Sequence, residues 1–193
     1  MSKYLRKFVQ YMQAARDAAD YETRPRRQAI LQNYCQHAAF EFTGRDRDIL
    51  HPLRTVAEPF YRVKRHGSEL TVYRGMAAVQ AYYTAVNREV IMLNDEQLMV
   101  NDWGLSSHST LVRFVAGAQL LSEGNDEVLD ADAIYVQTRP LAMFWPYDAD
   151  ARLLGEDVFE LDRAHIEKPA AEDIVTLAMR IAATQPFLPP AAR

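Results

Sequence analysis

The residues with the widest chemical reach lie on one extended stretch. From Leu98 onward, strand alternation places Val100, Asp102, Gly104, Ser106, His108 and Thr110 on one face, and Met99, Asn101, Trp103, Leu105, Ser107 and Ser109 on the other. His108 lies among serines and a threonine, and an imidazole titrating near neutral pH moves a proton without a cofactor. Asp102 offers a carboxyl group; in apolar surroundings its charged form is disfavoured, which turns it into a usable base or acid. On one straight strand the two sit about 20 Å apart, at roughly 3.4 Å per residue, so each would serve a different end of an elongated substrate. A bulge at Gly104 would exchange the faces midway. The bland alternatives are a solvent-facing histidine, and an aspartate that caps a turn or pairs with an arginine at a rim.

Other polar groups are scattered. His51 precedes Pro52 in an irregular segment and could close a pocket mouth, or simply be exposed. His37, His66 and His165 read as surface or helix-face residues. The five histidines show no metal-ligand spacing, so no metal site is expected. Tyr135, Gln137, Arg139, Leu141, Met143, Trp145 and Tyr147 share one face of a late strand. A buried Arg139 needs an acidic partner, for which Glu156 or Asp102 would serve, or an anionic ligand. Trp103 and Trp145 could form an aromatic wall, a core or a dimer interface. Glu156, Asp157 and Glu160 read as a solvated or salt-bridged edge rather than as an acid–base pair. Cys35, the one cysteine, permits no internal disulfide and lies in an apolar helical pattern.

These side chains must be held by a modest chain. At 193 residues, with 49% hydrophobic and 25% charged residues and a net charge of −4, the composition is that of a soluble globular domain with one core. The densest basic run, Arg24, Arg26 and Arg27, is too brief for a nucleic-acid footprint. No apolar stretch approaches a membrane span, and the N-terminus lacks a signal-peptide core, so a cytoplasmic protein is expected.

Periodicity predicts helices over about 3–20 and from Pro25 onward, the second with the stripe Ile30, Leu31, Tyr34, Cys35 and Ala38. Residues 40–58 read as irregular, with one helical turn over 46–50. A strand follows over 60–64. Gly75 opens a third helix, whose inward tyrosine is Tyr82 by its spacing from Met76 and Val79. Strands over 89–93 and 96–101 flank a turn at Asn94 and Asp95. Residues 117–132 form a polar excursion long enough to be functional. Long strands over 133–147 and 153–161 come last. A single domain is expected over 1–193, with its core at about 5–162, a C-terminal helix at about 169–184 and a loose tail at 185–193.

The element order, together with Glu58-Pro59-Phe60-Tyr61-Arg62-Val63, Tyr73-Arg74-Gly75-Met76-Ala77-Ala78-Val79, Tyr82-Tyr83, Asn101-Asp102-Trp103-Gly104 and the stretch from Trp145 to Glu160, resembles the nuclear-transport-factor-2-like superfamily. Within it lie the polyketide-cyclase-like (SnoaL-like) proteins, ketosteroid isomerase and scytalone dehydratase. The resemblance implies an α+β fold, a cone-shaped α+β barrel with N-terminal helices packed in the concave face of a strongly curved mixed sheet. It implies a deep apolar cone with few polar groups at its base, no cofactor, and a homodimer paired through the convex face. The family hosts isomerases, dehydratases, cyclases, hydrolases and plain binding proteins, so fold does not choose among them.

The expected function is therefore a cofactor-independent lyase, dehydratase or isomerase acting by proton transfer on a hydrophobic, aromatic small molecule. The resemblance extends to lyases that release formaldehyde from lignin-derived diaryl compounds. His108 or Asp102 would be the base, Tyr61 the oxyanion donor and Arg139 the orienting cation, with His51, Tyr82, Trp103 and Trp145 around the substrate. The other reading is a non-catalytic small-molecule binding or assembly protein with the same cone. Convergence of inward ionisable groups at the pocket base separates the two.

Overall fold

The computed structural model describes residues 1–125, 128 and 130–190. Helix α1 (Lys3–Tyr21) starts where the Ser2 side chain accepts the Tyr4 N–H, and buries Tyr4, Leu5, Phe8, Tyr11, Met12, Ala15 and Ala19 along one stripe. Helix α2 (Pro25–Glu41) carries proline in its first turn, where a missing N–H costs nothing. A short α3 (Asp46–Ile49) leads to strands β1 (Phe60–Lys64) and β2 (Leu70–Arg74), which form an antiparallel pair. Helix α4 (Gly75–Val86) precedes the long strands β3 (Val90–Val100) and β4 (Gly104–Ala116). After α5 (Gly117–Ser122) come β5 (Ile134–Pro146), β6 (Asp157–Glu160), β7 (His165–Glu167) and α6 (Leu177–Thr184).

The strands form one curved, unclosed sheet in the order β2-β1-β6-β5-β4-β3, with β7 added on β5. The β1–β6 pair is parallel and the others are antiparallel, so the sheet is mixed. Helices lie in its concave face: the Tyr34 and His37 rings of α2 meet the Trp145 indole of β5 edge-on, at 5.1 and 4.7 Å between centroids. This is the α+β cone that the resemblance implies. None of the described helices is long and apolar enough to cross a membrane.

Several sequence expectations are corrected. Asn94 and Asp95 do not form a turn; β3 runs through them with a register shift between Asn94 and Gln97, and Asp95 takes φ 55°. The hairpin turn falls instead at residues 101–103, where the Asn101 side chain accepts the Trp103 and Gly104 N–H groups. Asp102 is therefore a turn residue. Helix α5 lies within the stretch read as a polar excursion, and β2 is a strand that the sequence reading did not assign. The expected strand over 153–161 begins only at Asp157, because Leu153 makes isolated bridges to Thr55 and Tyr147. Part of the polar excursion, at 126, 127 and 129, and the tail end at 191–193 lie outside the described residues.

Gly155 has a specific structural duty. A Cβ built on it would stand 1.8 Å from the Phe60 carbonyl oxygen. Its absence lets the chain press against β1, where Phe60 N–H donates to Leu154 O and Arg62 N–H to Glu156 O. That clamp fixes the backbone of Glu156 at the cone wall.

Candidate active site

A cavity of about 460 Å³ opens between the helices and the concave sheet face. Its wall carries Tyr11, Tyr34, Phe42, Tyr82 and Trp145, and of its five lining glutamates Glu89, Glu123 and Glu160 pair with arginines, which leaves the carboxyls of Glu41 and Glu156. The size and lining suit a small organic ligand with few polar handles.

The carboxyl groups are brought together by His37. His37 and Glu41 lie one turn apart on α2 and therefore share a helix face. The His37 Nε2 stands 3.3 Å from Glu156 Oε1 and 3.7 Å from Glu41 Oε2. His37 is 1% and Glu156 4% exposed, so both are removed from water. The Tyr83 hydroxyl of α4 donates to Glu156 Oε1 at 2.5 Å. The same hydroxyl lies 2.8 Å from His37 Nε2 and 2.8 Å from the Tyr61 hydroxyl of β1. A tyrosine has one proton to give. Once Tyr83 spends it on Glu156, the other two contacts must be received, which places protons on Tyr61 Oη and on His37 Nε2.

Burial sets the charge state of this group. Desolvation, assisted by the Glu41 charge, pushes the Glu156 carboxyl up to about 8 from an ordinary 4.5, against the opposing hydrogen bonds of Tyr83 and Tyr61. Burial likewise raises Glu41 to about 7, but the nearby Arg180 guanidinium pulls it back. Arg180 is itself fully buried, donating to the carbonyls of Glu89, just before β3, and of Ile91 in β3. Burial drops the His37 imidazole to about 3, so it is neutral. Near neutral pH Glu156 is thus the more strongly protonated member, and Glu41, at 20% side-chain exposure and beside Arg180, is the one that ionises first.

On the concave sheet wall, Leu105, Ser107, Ser109, Leu111 and Arg113 of β4 stand opposite Trp145, Met143, Leu141, Arg139 and Gln137 of β5. The two arginines are neutralised by carboxylates: Arg113 by Glu89 and Glu123, Arg139 by Glu160. Arg139 thus lines the cavity but pairs with neither Glu156 nor Asp102, which corrects the expected partner.

The candidates read from sequence divide sharply. Tyr82, Arg139 and Trp145 line the cavity. Tyr61 is fully buried and reaches it through Tyr83. His108 does not: it is exposed on the opposite sheet face, across from Gln97 and Ala142. The serines beside it in sequence, Ser107 and Ser109, face inward. Asp102 is 71% exposed in the hairpin turn and pairs with Arg27 at 2.8 Å, which lowers its pKa. Trp103 is exposed beside it, and the exposed His51 uses its Nδ1 to accept the Leu53 N–H. None of these four lines the cavity. His37 and Glu156, read as surface groups, are buried instead. Of the two adjacent tyrosines both point inward, Tyr82 to the cavity and Tyr83 to Glu156. Among the described residues no three His, Cys, Asp or Glu side chains converge in a way that could hold a metal ion.

No family model and no curated protein matches this chain. Among solved structures it is similar to a candidate polyketide cyclase of Xanthomonas campestris (14% identity, 82% of this chain and 98% of that one, TM-score 0.49). It is also similar to a phenazine biosynthesis-related protein of Pseudomonas aeruginosa (9% identity, 92% and 94%, TM-score 0.48). A second candidate polyketide cyclase, of Pseudomonas putida, is similar at 16% identity over 68% of this chain and 90% of that one, with a TM-score of 0.47.

Raised carboxyl pKa values have a definite sign in stability. Glu156 binds its proton more tightly folded than unfolded, so its contribution is fully present below the unfolded value of 4.5 and is lost as pH rises through about 8. The melting temperature is expected to fall steadily between pH 5 and pH 9. In Glu156→Gln, which keeps an acceptor for Tyr83 but cannot ionise, the fall is expected to be shallower; scanning calorimetry at several pH values reads both slopes.

Proposed function

We propose that this chain is a cofactor-independent enzyme that moves protons on a hydrophobic, ring-sized carbonyl compound. The observation that carries the reading is the pair of carboxyls, Glu41 and Glu156, meeting at one neutral histidine on the wall of an aromatic cavity. Their environments push them apart, which assigns their roles. Glu41 as carboxylate removes a proton from the carbon next to the carbonyl. The C–H electron pair becomes a C=C bond, and the carbonyl oxygen takes the proton of Glu156, giving an enol. Where the substrate carries a C=C bond next to that carbon the enol is a dienol; Glu41, now protonated, delivers its proton to the far end of the dienol, the double bonds shift toward the carbonyl, and the enol O–H returns its proton to Glu156. The net result is isomerisation with no redox change. Elimination of water, ring closure and lyase chemistry begin with the same enol-forming step, so the lyase, dehydratase and isomerase alternatives share this machinery. His37 and Tyr83 act as positioning residues, holding Glu156 through its Oε1. Tyr82 and Trp145 supply the flat walls that a ring stacks on.

A purely binding or assembly role fits less well, because a cavity that only binds an apolar ligand gains nothing from two desolvated carboxyls. Glu156→Gln and Glu41→Gln are each expected to lower kcat by about 10²–10⁴-fold on an enolisable aromatic ketone, the usual reach of general acid–base catalysis. His108→Ala and Asp102→Ala are expected to leave it unchanged. Loss of turnover in the last two with activity retained in the first two contradicts the proposal.

We also infer a homodimer through the convex sheet face. There Val72, Phe144 and Met99 lie in one cross-strand row and are exposed, with Leu161 exposed nearby. Light scattering at micromolar concentration is expected to give twice the 22.1 kDa chain mass, and the monomer mass in Phe144→Glu. A monomeric mass for the unaltered protein contradicts it.

A further inference from the structure

A second polar group sits on the far side of Trp145 from His37. Tyr34 and Tyr11 both line the cavity, and their hydroxyls lie 3.1 Å apart. The Tyr34 hydroxyl donates to Glu96 Oε1 at 2.7 Å. Glu96 is not on the cavity wall. It comes from the bulged segment of β3, where the register shift between Asn94 and Gln97 turns it toward the helices. Its other oxygen, Oε2, is buried without a hydrogen-bond partner among the described residues. The Nε1 of Trp145, whose indole both the Tyr34 and His37 rings meet, is likewise buried and unpartnered among the described residues. The chemistry described above uses none of these groups.

The hydroxyl chain has a direction. The Tyr34 proton goes to Glu96 Oε1, which accepts both in the carboxylate and in the acid whose proton sits on the unpartnered Oε2, so the Tyr11 proton goes to Tyr34. The Tyr11 oxygen is then left facing the cavity with lone pairs and no proton to offer. We propose that Tyr11 is the binding group of a second polar station, set as a hydrogen-bond acceptor by Tyr34 and Glu96, and that it takes the hydroxyl end of a ring-sized ligand whose other oxygen lies at Glu156. This rests on the reading of Glu156 given above. It narrows the substrate to a planar aromatic compound with oxygen functions at both ends, of which the distal one is an O–H rather than an ether. Tyr34 and Glu96 are positioning residues here, because they act through Tyr11.

Two probes with the same ring test the polarity of the station: 2,6-dihydroxynaphthalene, with a donor at each end, and 2,6-dimethoxynaphthalene, with an ether at each end, so that turning end for end changes nothing and the Glu156 proton serves either oxygen. Calorimetry on the unaltered protein is expected to show the dihydroxy compound binding about tenfold more tightly, the value of one well-made hydrogen bond. In Tyr34→Phe the Tyr11 proton is released to turn into the cavity and serve the ether. The ratio is then expected to fall to about threefold or less. The methyl groups are equally bulky in both proteins, so the change in ratio reports only the acceptor. Should Tyr34→Phe not fold, Glu96→Leu asks the same question one step further along the chain. A ratio near one in the unaltered protein, or an unchanged ratio in both variants, overturns the station. Binding of neither probe overturns it together with the cavity's role. The expected ratios alongside normal turnover in Glu156→Gln would sink the proposed chemistry and leave the station standing.

Discussion

The burial of one carboxyl group, Glu156, is the constraint on which the remainder of the site depends. A carboxyl taken out of water carries a desolvation cost of several kcal/mol unless it is protonated and hydrogen-bonded. Three elements meet that requirement together. Strand β1 holds the Glu156 main chain and supplies Tyr61; α4 supplies Tyr83, whose proton goes to Oε1; α2 supplies His37. The Gly155 contact with Phe60 permits the approach. Remove any of these and the carboxyl is left buried without a partner, or drawn out of the wall.

Charge around the cavity is organised by depth. Two of the cationic side chains in the lining are answered by glutamates: Arg113 by Glu89 and Glu123, Arg139 by Glu160. Deeper in stand the buried carboxyls Glu41 and Glu156 and the phenols of Tyr11, Tyr34 and Tyr82, and burial raises the pKa of each. Arg180, behind Phe42 at 5.8 Å from its ring, breaks the near-symmetry of Glu41 and Glu156 by favouring the Glu41 anion. A pair of otherwise similar carboxyls thereby becomes one acid and one base.

Much of the scaffold was legible in the sequence. Period-3.6 stripes located α1, α2 and α4, and strand alternation put Arg139, Met143 and Trp145 on one face, where they lie. Which face of β4 turned inward was not legible, because alternation defines two faces without saying which is covered; His108 went outward with the even-numbered set. The glycine suspected of a bulge, Gly104, opens β4, while the register shift lies on β3 at Asn94–Gln97, a place that reads locally like a turn. His37 and Glu41 carried a usable signal: they continue the α2 stripe of Ile30 and Tyr34 at helical spacing, so polar residues stood at core positions. Glu156 carried none that short-range pattern could read. Its burial depends on β1, a parallel partner far away in the chain, and a Gly-Glu-Asp stretch in isolation reads as a solvated edge.

The central claim is that burial in and beside the cavity moves the titration of its carboxyls up into the neutral range. It is tested most directly by ¹³C NMR of the protein carrying glutamate labelled at the side-chain carboxyl carbon, titrated from pH 4 to pH 10, with Glu41→Gln, Glu96→Gln and Glu156→Gln assigning the signals. The account predicts two carboxyls titrating at about 7, Glu41 and Glu96, and one, Glu156, at about 8. Titration of every glutamate close to the ordinary 4.5 would contradict it.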